Sequence, residues 1–122
     1  MKTIFFDTYA FVEILDGNPA YSEYTENIAI ITSIYNLVEL HYAVLRTKDQ
    51  VIADDCYRQF EEFAVPIGPI TIKLANEFRL RHKDKKLSYA DCLGYTMAKM
   101  HGVPFLTGDE AFKTMDNVIF VK

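Results

Sequence analysis

Short apolar runs rich in isoleucine, valine and phenylalanine alternate along the chain with longer stretches in which apolar residues recur at helical spacing. Ile4-Phe5-Phe6 reads as a buried strand, and Asp7-Thr8 leads into a helix to about Asp16, closed by Gly17-Asn18-Pro19. Ile28 to Ile31 is a second strand. Thr32 or Ser33 then offers an N-cap for a helix to about Thr47, with Ile34, Leu37, Val38 and Leu45 on one face. A third helix is predicted from about Asp49 to Ala64, striped by Ile52, Cys56, Phe60 and Phe63. Val65-Pro66-Ile67 reads as a short strand whose proline suits a sheet edge. A helix from about Ile70 to His82 follows. Ser88-Tyr89-Ala90-Asp91 has capping-box spacing ahead of Leu93, Met97 and Met100, and Gly102 fits the C′ position. Val103 to Leu106 is a strand, Thr107-Gly108-Asp109 a turn, and Val118 to Val121 the last strand.

Strands that alternate with helices imply a parallel sheet covered on both faces. With 122 residues, half of them apolar, one domain buries enough surface to fold without disulfides or metal staples. No internal repeat, low-complexity segment or linker interrupts the pattern. No apolar run approaches the roughly 20 residues of a membrane span, so the expectation is a soluble, cytoplasmic protein with no membrane partner. Cys56 and Cys92 lie in apolar-periodic segments outside any CxxC or Cys/His cluster, which reads as two buried free thiols. The three histidines form no HExxH motif, and zinc has little to recommend it.

The net charge of −4 speaks at first against a nucleic-acid partner. Position counts for more than the sum, because cations are concentrated in Arg79-Leu80-Arg81-His82-Lys83-Asp84-Lys85-Lys86. Two bound divalent cations shift the balance by roughly +4. This run serves equally as a solvated helix end, where cations complement the macrodipole, or as a set of RNA-phosphate contacts from Arg79, Arg81, Lys83, Lys85 and Lys86.

Four acids stand out by their position. Asp7 ends the first strand and Asp109 lies just past another, at the edge where open α/β sheets collect ligands. Glu39 sits in the helical run Leu37-Val38-Glu39-Leu40, and its neighbours at i±3 and i±4 are Tyr35, Asn36, Tyr42 and Ala43, none a cation. Asp91 has Leu87, Ser88, Gly94 and Tyr95 in the corresponding places. Each has a bland explanation: turn chemistry for Asp7 and Asp109, a water-facing helix edge for Glu39, and a capping box for Asp91. Taken together, two strand-end and two helical carboxylates that converge need a counter-charge, and a hard divalent cation supplies it.

These motifs resemble the PIN-domain family. The likeness rests on Asp7-Thr8 after an apolar strand, Glu39 in the second long helix, Ser88-Tyr89-Ala90-Asp91, and Thr107-Gly108-Asp109 followed by Phe112, and it spans nearly the whole chain. Length and element order are similar to the VapC-type toxins within that family. The resemblance implies a three-layer α/β/α sandwich around a five-stranded parallel sheet of order 3-2-1-4-5. It further implies RNA cleavage dependent on Mg²⁺ or Mn²⁺, with Asp7, Glu39, Asp91 and Asp109 as catalytic and metal-binding acids. Thr8, Thr107 and Ser88 would be supporting hydroxyls, a small antitoxin protein the partner, and a homodimer the assembly. Many relatives carry a basic residue between the Thr and Asp of the last motif. Here Gly108 stands there, which leaves the acids intact and removes a nearby cation for phosphate.

Three other readings remain at this point. A housekeeping RNA-processing nuclease uses the same chemistry, and a degenerate PIN domain acts purely as a binding module. A phosphatase of the haloacid-dehalogenase type wants Asp-x-Asp after the first strand, where this chain has Tyr9. Tyr35, Tyr42 and Tyr57 serve either as base-stacking platforms or in core or dimer packing.

Overall fold

In β1 (Lys2–Phe6) the last three residues, Ile4, Phe5 and Phe6, are all fully buried. Neighbouring strand side chains point to opposite faces, so both faces of this sheet must be covered. A computed structural model describing residues 1–122 shows how. The elements that follow are α1 (Thr8–Leu15), β2 (Ile28–Ile31), α2 (Ile34–Thr47), α3 (Gln50–Phe60), α4 (Pro69–Arg81), α5 (Tyr89–Met100), β3 (Phe105–Thr107) and β4 (Val118–Phe120), joined in part by short 3₁₀ turns. One apolar cluster gathers Ile4, Phe6 and Leu106 of the sheet with Phe11, Leu37, Leu40, Val44, Cys56 and Phe60, from α1, α2 and α3. The other gathers Phe5 and Phe105 with Phe78, Leu93, Tyr95 and Met97, from α4 and α5. The layering is therefore α/β/α, and both cysteines are buried and free. No helix is long and apolar enough to cross a membrane.

The sheet is parallel throughout, but it has four strands in the order β2-β1-β3-β4, not five. The strand expected at Val65-Pro66-Ile67 does not form. Thr32 N–H donates to Phe63 O (2.9 Å), and Val65 N–H donates to Thr32 O (3.0 Å), making one isolated bridge between Thr32 and Ala64. Pairing stops there because the chain leaves the sheet after Thr32, where Ser33 caps α2 and Ile34 is already helical, so no partner is left for the Val65 carbonyl or the Ile67 N–H. The rudiment lies on the β2 edge, where the five-stranded order places its outermost strand.

Two helical stripes also differ from the sequence pattern. On α2, Asn36, Leu37, Leu40 and Val44 are buried, whereas Ile34, Val38 and Leu45 are 42%, 60% and 42% exposed. The inward arc is rotated because Ser33 caps the helix and Asn36 is drawn inward by hydrogen bonds described below; Thr32 belongs to the sheet edge, not to the cap. On α3, Ala53, Cys56 and Phe60 face the core, and the α-helix ends at Phe60 before a 3₁₀ turn, short of the expected Ala64.

Candidate active site

Strand order reverses direction of growth at β1, which has β2 on one side and β3 on the other. The carboxyl ends of β1 and β3 are thus the natural ligand crevice of this sheet. Asp7 follows β1 directly, and its N–H donates to Leu106 O of β3 (3.1 Å). It occupies the N-cap position of α1, yet its side chain makes no cap hydrogen bond. The carboxylate is instead 2% exposed and turned into the crevice. Thr107 Oγ1 donates to Asp7 Oδ2 (2.7 Å), and Asn36 Nδ2 donates to Asp7 Oδ1 (3.2 Å).

From there a polar network branches through the site. Ser33 Oγ donates to Asn36 Oδ1 (2.6 Å), which fixes the amide so that its Nδ2 reaches both Asp7 and Thr8 Oγ1 (3.1 Å). Thr8 Oγ1 in turn donates to Glu39 Oε1 (2.8 Å). Thr107 Oγ1 also accepts from Asp109 N–H (3.1 Å), and Asp109 Oδ1 caps the following 3₁₀ turn by accepting from Ala111 N–H (3.0 Å). Asp91 forms the capping box expected of it: Ser88 N–H donates to Asp91 Oδ2 (2.9 Å), and Asp91 N–H donates to Ser88 Oγ (3.0 Å). Gly94, one turn further along α5, lets this helix lie close on the sheet. A Cβ there would stand 3.0 Å from Phe5, 3.2 Å from Asn36 Oδ1 and 3.2 Å from Phe105.

No ion pair of the molecule involves Asp7, Glu39, Asp91 or Asp109. Burial, reinforced by the charges of Asp91 and Glu39, pushes the Asp7 carboxyl up to about 8 against the opposing Thr107 hydrogen bond. Asp91 is raised to about 6, again chiefly by burial, opposed by its Ser88 hydrogen bonds and assisted by Glu39 and Asp109. Asp7 thus feels the charges of Asp91 and Glu39, and Asp91 those of Glu39 and Asp109. No three of these four acids, however, close into a ready coordination shell. Asp7, Glu39, Asp91 and Asp109 each spend one or both oxygens on the hydrogen bonds above. Glu39, Asp91 and Asp109 are partly exposed and no buried polar side-chain atom lacks a partner, so their remaining oxygens open to solvent. That donor set fits Mg²⁺ or Mn²⁺, which typically take one or two carboxylates directly and keep several waters that outer carboxylates can hold.

A folded pKa above the unfolded one means the native state keeps a proton that the unfolded chain has already lost. For Asp7 this window runs from about 4 to about 8, so metal-free stability should fall as pH rises through it and be fully present below it. Thermal melts in EDTA should show a midpoint higher at pH 5 than at pH 8 by about 5 °C or more, the response of a small domain to ~1–2 kcal/mol. Asp7→Asn should remove most of that difference.

Of the basic residues, Arg79, Lys83 and Lys86 line one cavity of about 420 Å³ together with Asn76, Leu80 and Leu87. Arg79 Nε donates to Leu87 O (3.2 Å), and its guanidinium lies over the Tyr89 ring, 4.1 Å from the centroid. Arg81 lines a different cavity, with Lys99 and Asp116, and Lys85 lines neither. The run is therefore not one patch, because the end of α4 and the turn after it send its cations in different directions. Neither of the two roomiest cavities, about 520 Å³ each, is lined by any of the four acids.

The profile of the PIN domain matches residues 4–118. The chain belongs to the PIN-domain family. No curated protein matches it. Among solved structures, a toxin–antitoxin complex from Klebsiella pneumoniae superposes with a TM-score of 0.71 at 16% identity, covering 95% of each chain. VapBC2 from Rickettsia felis, bound to a DNA fragment from their promoter, superposes with a TM-score of 0.70 at 22% identity, covering 98% of this chain and 97% of that one. At those identities the likeness shows the PIN fold.

Two features of this PIN domain escape the sequence pattern. Asn36 and Ser33 organise the site, and their one signal is an Asn three residues after an N-cap Ser on an otherwise apolar arc. Tyr9 explains Gly108: a Cβ at that position would collide with the Tyr9 ring and the Val121 carbonyl. No side chain fits between Thr107 and Asp109 while the Tyr9 ring and the Val121 carbonyl stay in place. Gly108→Ala should destabilise the protein by about 1–3 kcal/mol, the usual result of overpacking. Adding Tyr9→Ala should restore part of it, as read from urea midpoints.

Proposed function

We propose that this PIN domain is a divalent-metal-dependent endoribonuclease and the toxin of a toxin–antitoxin pair. The observation that carries the reading is Asp7, a carboxylate 2% exposed, without a cation, beside the charges of Asp91 and Glu39 at the carboxyl edge of the sheet. Such a group is unfavourable as structure and suited to metal binding. Asp7, Glu39, Asp91 and Asp109 would hold Mg²⁺ or Mn²⁺, with catalysis resting on the same four. A bound divalent cation supplies an activated water and charge stabilisation for phosphodiester hydrolysis. Thr107 and Asn36 hold the Asp7 oxygens, Thr8 holds Glu39, and Ser88 holds Asp91, so these hydrogen bonds fix the positions of three of the four acids. RNA as substrate, action in the cytoplasm, a small antitoxin and a homodimer are parts of the same proposal. The antitoxin draws support from the two complexes above, in which PIN-like chains are seen with antitoxin partners.

The test is incubation of purified protein with mixed RNAs. Cleavage should appear with Mn²⁺ or Mg²⁺, vanish with EDTA and return with excess metal; full activity after rigorous chelation would rule the mechanism out. RNA affinity should also fall with salt. Neutralising Lys83 and Lys86, which share a cavity with Arg79, should lower the slope of that dependence by roughly one unit for each phosphate left without its cation. Neutralising Arg81 and Lys85 should lower it less.

A further inference from the structure

A second groove, about 280 Å³, opens between α2, α4 and α5 and is lined mainly by Tyr35, Ile72, Asn76, Tyr89, Cys92 and Leu93. Tyr35 directly precedes Asn36, Cys92 directly follows Asp91, and Tyr89 stands two residues before Asp91, so the groove borders the acidic site. Its two tyrosines are unusually open for their size, 44% and 60% exposed. Tyr89 is steadied from one face by the Arg79 guanidinium. Asn76 lines both this groove and the cationic cavity of Arg79, Lys83 and Lys86, so the two adjoin at that residue.

We propose that this groove is a nucleobase subsite: it takes one base of a single-stranded nucleic acid while the adjoining backbone phosphate lies in the cationic cavity. The proposal rests on the nuclease reading for its substrate class. Charge and shape favour this occupant. Aromatic faces stack any base, and an Arg against the ring adds cation–π attraction. An amide such as Asn76 presents a donor and an acceptor side by side to a base edge. An extended peptide would need a row of backbone partners, and Asn76 is the one amide side chain in the lining.

The test uses a short dye-labelled single-stranded RNA and versions of it carrying an abasic ribose at each position in turn. Anisotropy is read at low salt in EDTA, so that nothing is cut. For the wild type, one abasic position should weaken binding by roughly 5- to 150-fold, the range for loss of one stacked base. Tyr89→Ala should bind the intact RNA as weakly as the wild type binds that abasic one, and should no longer distinguish the two. Tyr89→Phe should keep the distinction. The same preparations are then assayed for cleavage with Mn²⁺. If Tyr89→Ala and Tyr35→Ala both retain the full abasic penalty, the subsite is overturned and the groove passes to a peptide partner. Base-dependent binding that responds to Tyr89, with no cleavage by the wild type, would overturn the nuclease reading and leave the subsite standing.

Discussion

Asp7→Asn is expected to lower metal-dependent RNA cleavage by more than about 100-fold while leaving the metal-free fold at least as stable as the wild type. The first half follows from position. Asp7 is the most buried of the four acids, and even the loss of an outer partner of a metal ligand typically costs 10- to 100-fold. The second half follows from electrostatics. Burial and the neighbouring charges hold the Asp7 carboxyl at about 8, so its ionised form opposes folding at neutral and higher pH. Its side chain caps no helix, so Asn removes no structural bond of that kind. Asn also keeps the shape and still accepts from Asn36. Its amide N–H faces Thr107 Oγ1 in place of the bond that Asp7 Oδ2 accepts, which sets one changed hydrogen bond against the relief of charge. A gain of ~0.5–2 kcal/mol in EDTA is the expected scale. Mn²⁺ should then raise the melting midpoint of the wild type more than that of the variant, since a ligand specific to the native state stabilises in proportion to its affinity. A variant that melts several degrees lower in EDTA would instead make Asp7 a structural residue.

Asn36→Ala should damage both stability and activity. Asn36 is fully buried and joins Ser33, Asp7 and Thr8 through one amide. Its removal leaves Ser33 and Asp7 each short of a buried partner, at about 1–3 kcal/mol per orphaned group, and opens a small cavity. The total should be roughly 2–4 kcal/mol in urea titrations. Cleavage, measured well below the melting midpoint, should fall about 10- to 100-fold because Asp7 and Thr8 lose the group that orients them. Raising Mn²⁺ should recover part of that loss, whereas it should recover little in Asp7→Asn. Identical responses of the two variants to Mn²⁺ would contradict the separation between holding the cation and orienting its ligand.

Much of this protein can be read from its residue pattern, and the exceptions share a cause. Ile4-Phe5-Phe6 declares itself because a strand buried on both faces has no polar alternation to confuse it. Ile28 to Ile31 does so because it is an unbroken, mostly β-branched apolar run, even though its residues stay partly exposed at the sheet edge. The Ser88/Asp91 capping box is legible because it depends on four consecutive residues. The missing fifth strand, by contrast, turns on whether pairing continues past one bridge, and that is decided by where β2 gives way to the Ser33 cap and α2. Periodicity misplaces the α2 face because it weighs Ile34, Val38 and Leu45 as core, whereas the buried arc contains a polar residue, Asn36. A buried amide with its hydrogen bonds satisfied looks, in a hydropathy pattern, like a surface residue. The four acids are visible as a set because none has a local cation. How their spare hydrogen-bonding capacity is shared among Thr8, Asn36, Thr107 and Ser88 is a matter of three-dimensional placement, which no local pattern encodes. The basic run is legible as charge but not as geometry, since the turn after α4 divides Arg81 from Lys83 and Lys86.

Whether Asp7, Glu39, Asp91 and Asp109 form one divalent-cation site is decided by calorimetric titration of the metal-free protein with Mn²⁺ at pH 7, repeated in buffers of different ionisation enthalpy. With the Asp7 carboxyl at about 8, the apo site carries a proton that a cation must displace. Saturable Mn²⁺ binding should appear with net release of up to about one proton. In Asp7→Asn, binding should be sharply weaker and that release abolished. Mn²⁺ binding that is absent in the wild type, or unchanged in affinity and proton release in Asp7→Asn, would contradict a shared site.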